Sequence, residues 1–414
     1  MNDWGVKQIK CLGRVVTGKT PPTNNPEYFG GDELFVSPKD LDWSSHYITE
    51  TETRITSKAL EKFKNQVVPR NTVMFTSLSF AFGKMGIASR PCLTNQQINS
   101  VIVNKENSPK FVYYLLRAYE PIIFSYNSGI DTPIVPKSVF EKIEVKLPSK
   151  KLQEKIAAIL SAYDDLIENN QRRIALLEKM AEEIYREWFV RFRFPGHKKV
   201  KSIKGVPEGW KVVELKEVSI ESSRSTSSGS HLAERLYLPL ELFNTRQMIP
   251  GGHQNYTEAQ SSLVTFEKGD ILFGAMRPYQ HKVAMAPFPG ITRTTCFVIR
   301  PKMPLALSWL FLTLYQQTSV DYATMICNGA DRPYVVWNKG MERMKLLRPD
   351  DVLLAKFEEV ARPILDSISS MYFVQLKLKD CRDLLLPRLI SGKLSVGNLD
   401  IQFPPGMVEP VHET

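Results

Sequence analysis

Residues 13–20 read Gly13-Arg14-Val15-Val16-Thr17-Gly18-Lys19-Thr20, the spacing of a phosphate-binding loop whose glycines let backbone amides wrap a phosphate. That chemistry needs a helix beginning at the Lys, so that free amides and the helix dipole face the anion. Pro21 and Pro22 follow at once, then Asn24, Asn25, Pro26 and the pair Gly30-Gly31, and no helix can continue through them. The match is therefore accidental. A nuclease would need an acidic cluster with a Lys, and Asp131, Glu144 and Lys146 are the nearest approach. The six histidines lack metal-ligand spacing, and the chain has neither the Asn/Asp-Pro-Pro-aromatic motif of an amino-methyltransferase nor its Gly-rich cofactor loop. Cys11, Cys92, Cys296, Cys327 and Cys381 never form Cys-x-x-Cys, so neither a zinc knuckle nor a disulfide framework is indicated. No catalytic residue, metal site or cofactor site is expected in this chain.

What the side chains can do is bind. The net charge of +10 and a pI near 9.2 favour a polyanionic partner, with nucleic acid foremost. Lys19, Lys39, Lys84 and Arg90, with Arg224, Arg235, Arg246, Arg277, Arg293 and Arg332, are the candidates for contacts to phosphates or guanine edges. Lys198, Lys199, Lys201 and Lys204 form a basic stretch that either tracks phosphates or is solvated linker. The apolar fraction of 43% and charged fraction of 24% are those of a globular chain, and no apolar run matches a membrane span. The opening MNDWGVKQIK lacks the features of a signal peptide, so a cytoplasmic location is expected.

Two long helices must position these groups. From Ile156 the apolar residues alternate by four and three through Leu160, Tyr163, Ile167, Asn170, Ile174 and Leu177, the repeat of a coiled-coil helix. A polar Asn170 in such a seam commonly fixes register. The same rhythm returns near the C-terminus through Leu353, Phe357, Val360, Ile364, Met371, Leu378 and Leu385, with Ser367, Val374 and Cys381 between them. Each helix follows a globule of mixed α+β composition. The spacing predicts globules at 1–149 and 195–349, helices at 150–194 and 350–394, and a tail at 395–414. Strands are predicted at Thr72 to Leu78 and Ile98 to Val103, and a helix capped by Ser108 with Pro109 in its first turn. The Pro, Gly and Asn of residues 17–41 predict turns, and the basic Pro/Gly-bearing stretch from Phe194 to Trp210 predicts the domain boundary.

The second globule replays the first. Asp270 to Met276 answers Thr72 to Leu78, Thr295 to Arg300 answers the strand near Ile98, and the apolar run from Leu305 to Tyr315 answers the helix after Ser108. Gly129-Ile130-Asp131-Thr132-Pro133-Ile134-Val135 returns as Gly329-Ala330-Asp331-Arg332-Pro333-Tyr334-Val335. The chain is an internal duplication.

The loop GKTPPTNNPEYFGGDELFVSPKDL, the segment SGIDTPIV, the helix QEKIAAILSAYDDLIENNQRRIALLEKMAEEIYREWFV, PEGW at Pro207 to Trp210 and RDLLLPRLISGKL at Arg382 to Leu394 resemble the specificity subunits of type I restriction-modification systems. The resemblance covers nearly the whole chain. It implies an α+β fold of two similar target-recognition domains, related by pseudo-two-fold duplication and separated by two helices in an antiparallel coiled coil. It further implies a non-catalytic reader of double-stranded DNA, each domain reading one half of an asymmetric site. Two methyltransferase subunits would dock on the framework, with two restriction subunits in systems that also cleave. S-adenosylmethionine, ATP and Mg2+ would belong to those partners. Pro363 departs from the pattern and predicts a kink or a later helix start. Two other readings are a self-contained homodimeric restriction enzyme, which needs an acidic or cofactor cluster not found, and a coiled-coil scaffold, which leaves the globules and the charge unexplained.

Overall fold

β-branched and aromatic clusters build the strands of the first globule. In the computed structural model, which describes residues 4–402 apart from 42–45, 79–80, 129–131, 223 and 261, five strands are ordered Gly13–Thr17, Ile98–Val103, Val73–Thr76, Met85–Ala88 and Tyr47–Ile48. The helix Pro109–Ser125 buries Phe111 through Leu116 in the same core as Val73, Phe75, Ile87 and Val101. Its first turn is closed as predicted, with the Ser108 hydroxyl accepting from the Phe111 amide at 3.5 Å. A ribbon of Gly5–Gln8 against Glu144–Leu147 and a small sheet of Arg54–Ile55, Phe29–Val36 and Cys92–Thr94 complete the globule. Phe29–Val36 lies inside the stretch read as turns. Its buried end, Leu34-Phe35-Val36, is too short an apolar run to stand out among prolines and glycines.

The apparent phosphate-binding loop is a strand. Gly13–Thr17 pairs with Ile98–Val103, and no helix begins at Lys19; the next element is the short 3-10 turn Pro26–Tyr28. Its glycines answer close packing, since a Cβ at Gly13 would sit 2.0 Å from the Ile102 carbonyl oxygen and one at Gly18 2.2 Å from that of Thr94.

The second globule repeats the plan. Its main sheet is ordered Ser219–Glu221, Cys296–Pro301, Ile271–Gly274 and Val283–Met285. Val73 faces Val101 and Ile87, and Ile271 faces Ile299 and Met285; 271 less 73, 299 less 101 and 285 less 87 all give 198. Lys211–Glu214 pairs with Lys345–Arg348 as the ribbon. The duplication thus extends to strand order and register. The copies differ in the small sheet, which in the second gains Ser225–Thr226 and Leu263–Phe266 beside Gly290–Arg293 and Leu236–Tyr237.

The chain divides into two compact units, residues 1–169 with 377–414, and residues 170–376. The central helix Lys150–Tyr185 and the C-terminal helix Asp351–Ile390 each pass from one unit to the other. In the first unit Ile156, Ala157 and Leu160 share a core with Leu386, Leu389 and Ile390. There Lys155 Nζ donates to the carbonyls of Gly397 and Leu399, while Asp164 pairs with Arg382, so one numbering rises as the other falls and the helices are antiparallel. Val396 is buried in the same core, so the start of the expected tail is docked. In the second unit the rings of Tyr185, Trp188 and Phe189 surround Phe357, with centroids 6.3, 5.4 and 4.7 Å away.

The boundary falls inside the helices and not in the connector. Phe194 stacks on Trp210 at 5.7 Å, and a hairpin of Ser202–Ile203 with Val206–Pro207 lies between them, so the stretch from Phe194 to Trp210 folds onto the core of the second unit. Just before it, Arg186–Val190 forms a π-helical turn.

The buried line of the helices runs beside the predicted seam. On the central helix Ile156, Leu160, Ile167 and Ile174 are buried and Tyr163, Asn170 and Leu177 half-buried, with Asp164 more deeply placed than Tyr163. On the C-terminal helix Leu353 and Phe357 are buried, and Ile364, Met371, Leu378 and Leu385 half-buried, but Val360 is 43% exposed and Ser367, Val374 and Cys381 face water. The line there runs through Ala361, Leu365, Ile368, Tyr372, Arg382, Leu386 and Leu389, one residue later. An apolar count favours Val360 and Val374 over Ala361 and Arg382, whereas packing selects the small residue and the charge that has a partner. Pro363 does not break the helix. It and Glu359, whose carbonyl it leaves without a helical donor, both face solvent, which can supply the missing hydrogen bond. Among the described residues no helix is long and apolar enough to cross a membrane.

Four polar side chains meet at the heart of the first unit. The Asp164 carboxylate accepts from Arg382 and, at 2.6 Å, from the Tyr114 hydroxyl, while His46 Nε2 lies 3.1 Å from the same oxygen. Burial alone would raise the Asp164 pKa; His46, Arg382 and Tyr114 outweigh it and hold the group well below the usual carboxylate range. Stepping on by 201, the difference between the helix starts 351 and 150, replaces Asp164 by Leu365. Stepping back by 201 replaces Arg382 by Ala181, and both substitutes are buried in the second core.

Arg382→Ala is expected to destabilise the protein by about 3–5 kcal/mol, because it leaves a buried carboxylate without its guanidinium partner. Asp164→Leu with Arg382→Ala, the pair that the second unit uses, should recover most of that loss in chemical denaturation. A double variant no better than the single would refute the argument.

Glu178 supplies a pH-dependent counterpart in the second unit. Burial, reinforced by the neighbouring Glu182 and opposed by the hydrogen bond from the Met248 amide at 2.6 Å, raises its pKa to about 7. A folded-state pKa above the unfolded value means that the group's stability contribution is complete below about 4.5 and is lost as pH rises through about 7. Glu178→Gln keeps an acceptor for Met248 without the charge. The fall in melting temperature from pH 5 to pH 8 should be smaller in this variant than in the wild type, and an unchanged fall would refute the assignment.

Candidate nucleic-acid interface

At one end of each main sheet, backbone hydrogen bonds gather loops that are far apart in sequence. In the first unit the Thr76 amide donates to the Lys84 carbonyl at 2.9 Å and Ser77 to that of Gln97 at 2.9 Å, while Val135 donates to Ser77 at 2.8 Å. Buried Asn99 braces the cluster, accepting from Thr17 Oγ1 at 3.0 Å and donating to the Val135 carbonyl at 3.4 Å. The second unit repeats the bonds. Gly274 donates to Lys282, Ala275 to Thr295 and Val335 to Ala275, at 2.8, 2.8 and 2.9 Å. The segment containing Pro133 and its repeat containing Pro333 therefore close equivalent loop clusters. Asp131, with the Gly129-Ile130 that precedes it, lies outside the described residues.

The predicted basic residues sort by their partners. In the first unit Lys84 and Lys39 line one hollow of about 600 Å³ with Ser37, Glu52, Asn95 and Gln97. Lys39 lies 3.5 Å from Glu52 at the open surface. Lys19 rests over the Phe63 ring at 5.5 Å, next to Thr20, which bonds Asn95 and Gln96. Arg90 is turned to the Asp32 carbonyl and Glu33. In the second unit Arg277 and Arg332 are exposed on the gathered loops, tied through the Arg277 amide and the Pro333 carbonyl at 2.8 Å. Arg293 donates to the Tyr237 hydroxyl at 2.7 Å, and Arg235 to the carbonyls of Phe266 and Gly290 and to Glu267, so these two hold the fold. Arg246 lies 3.8 Å from Glu182, and Arg224 is exposed at the edge of the small sheet. Among the described residues no hydrogen bond or ion pair engages the side chains of Lys84, Arg224, Arg277 or Arg332.

The loop carrying Arg277 is set in shape beforehand. Arg277 and His281 at its ends, and Arg246, whose amide donates to the His281 carbonyl at 3.1 Å, all have φ near 50°, the left-handed region that non-glycine residues enter at a cost of about 1–2 kcal/mol each. Buried His281 packs on Tyr315 at 5.0 Å, and burial pushes its pKa down.

Apolar and charge patterns missed the neutral polar residues. Asn95 and Gln97 in the first hollow, and Ser225, Thr226, Ser227, Ser228, Gln260 and Ser262 around another of about 560 Å³ in the second unit, offer donors and acceptors without net charge. The serine-rich run at 225–230 is the one signal that could have pointed to them.

Among the described residues no His, Cys, Asp and Glu side chains form a group of three able to hold a metal ion. Glu144 and Lys146 lie exposed on the ribbon strand, and burial pushes the thiols of Cys92 and Cys296 up to about 12.

The chain is similar to known proteins over most of its length. The family described as "Type I restriction modification DNA specificity domain" matches residues 1–179. The chain is 28% identical to the type I restriction enzyme MjaIX specificity subunit of Methanocaldococcus jannaschii, over 96% of this chain and 95% of that protein. It is 24% identical to the MjaVIII specificity subunit of the same organism, over 96% and 94%. The fold is similar to the crystal structure of the type I restriction-modification S subunit from M. genitalium, with a TM-score of 0.62 at 16% identity over 94% and 96% of the chains. Motifs, duplicated register and full-length matches agree: this chain is similar to the specificity subunits of type I restriction-modification systems, and its first 179 residues match the family's domain.

Proposed function

We propose that this chain reads a two-part, asymmetric DNA site, one half by each unit, and confers that specificity on methyltransferase subunits that dock on it. The observation that carries the reading is the pair of equivalent loop clusters, built by the same backbone hydrogen bonds but carrying different residues, such as Gln97 in one and Thr295 in the other. Two copies of one framework present two chemistries, which suits two different half-sites in one chain. Unengaged cations supply the phosphate contacts, and amide and hydroxyl groups the base contacts. Two methyltransferase subunits and, where the system also cleaves, two restriction subunits complete the assembly and carry S-adenosylmethionine, ATP and Mg2+. Chromosomal DNA places the activity in the cytoplasm.

Exchanging residues 210–345 for the equivalent part of a relative should change one half of the methylated sequence in host DNA and leave the other as it was. Changes in both halves would defeat the reading. Arg277→Ala should weaken DNA binding at least about fivefold without lowering the melting temperature. Arg235→Ala should instead cost about 1–2 kcal/mol of stability, since it strips two carbonyls of their donor. Equal effects of the two substitutions on both measurements would show that the sorting of arginines is wrong.

A further inference from the structure

The hollow of the first unit holds two half-buried polar side chains, Gln97 and Lys84, that no hydrogen bond or ion pair engages among the described residues. Their backbones are held differently from their side chains. The Gln97 amide donates to Asn95 Oδ1 at 2.9 Å, closing a turn, and the Gln97 carbonyl accepts from the Ser77 amide at 2.9 Å. Asn95 places one amide donor on Thr20 and its oxygen on the Gln97 amide, and Ser37 donates its hydroxyl to Asp40, so both are partly engaged within the fold. Gln97 is left with an amide whose oxygen accepts and whose nitrogen donates, on a backbone fixed at both sides.

We propose that Gln97 is a base-reading residue of the first unit and that the edge it reads is adenine. A planar amide can accept from adenine N6 and donate to N7 at once, a geometry that depends on a fixed backbone. Lys84, a point charge on a flexible stem, serves beside it as a phosphate anchor. The residue at the equivalent place in the second unit, 97 plus 198, is Thr295, whose carbonyl accepts from Ala275 as that of Gln97 does from Ser77. A hydroxyl cannot make the paired contact, so the two units differ in the base read there. This inference rests on the half-site reading above.

The test selects sites from a randomised duplex pool with the full-length chain assembled with its methyltransferase subunits. Gln97→Ala should reduce discrimination about 10- to 100-fold at one adenine position in one half-site, with the melting temperature unchanged. Gln97→Glu, which can accept but not donate, should move the preference at that position towards cytosine. Lys84→Ala should weaken binding to all sequences and leave the preferred site as it was. If Gln97→Ala leaves every preference intact, relaxes a position that is not adenine or abolishes binding, the assignment fails while the half-site reading stands; if it alters both half-sites, the half-site reading fails with it. If Lys84→Ala, Arg277→Ala and Gln97→Ala all bind as wild type does, the half-site reading itself fails.

Discussion

The first unit depends on a charge pair taken out of water. Asp164 and Arg382 lie 218 residues apart in sequence, and each costs several kcal/mol to desolvate. The cost is tolerable only because the carboxylate is nearly saturated. Arg382, Tyr114 and His46 surround it, and these four residues come from the C-terminal helix, the core helix, a loop and the central helix. One interaction therefore fixes four segments at once, where an apolar contact would tolerate sliding. The second unit solves the same packing problem with Leu365 and Ala181, without charge. A register error that placed Arg382 against an apolar neighbour would bury an unpaired guanidinium. The polar copy thus carries information about alignment that the apolar copy lacks.

Period and duplication were legible in the amino-acid order because both are properties of many residues together. Strand pairs such as Val73–Val101 and Ile271–Ile299, the Ser108 cap and the two helices follow from β-branched clusters, a capping residue and heptad spacing. The exact side of the C-terminal helix did not follow. Val360 and Val374 complete an apolar stripe as regular as the buried one, and only tertiary contact separates the two. The connector misled for a related reason: two aromatic residues at its ends, Phe194 and Trp210, decide its place against a majority of Lys, Pro and Gly.

The site was legible in kind but not in detail. Charge pointed to nucleic acid, yet Arg235 and Arg293 are indistinguishable in sequence from Arg277 and Arg332. What separates them is a carbonyl, a hydroxyl or a carboxylate brought within reach by the fold. Gln97 carries no charge and belongs to no motif. Its prominence comes from the turn made by Asn95 and the bond to Ser77, neither of which a linear reading can supply.

The division of the chain also has a consequence for its synthesis on the ribosome. The second unit, residues 170–376, is continuous, and all of its core has emerged once Tyr372 has left the exit tunnel. The first unit is not continuous: Leu386, Leu389, Ile390 and Val396, translated last, complete the core that Ile9 and Leu12 began. The half encoded first is therefore the half finished last. Until then Ile156 and Leu160 stand uncovered, and Asp164 waits without Arg382. A message truncated after residue 376 would yield a folded second unit joined to an N-terminal region that cannot close, a natural substrate for chaperones and proteases.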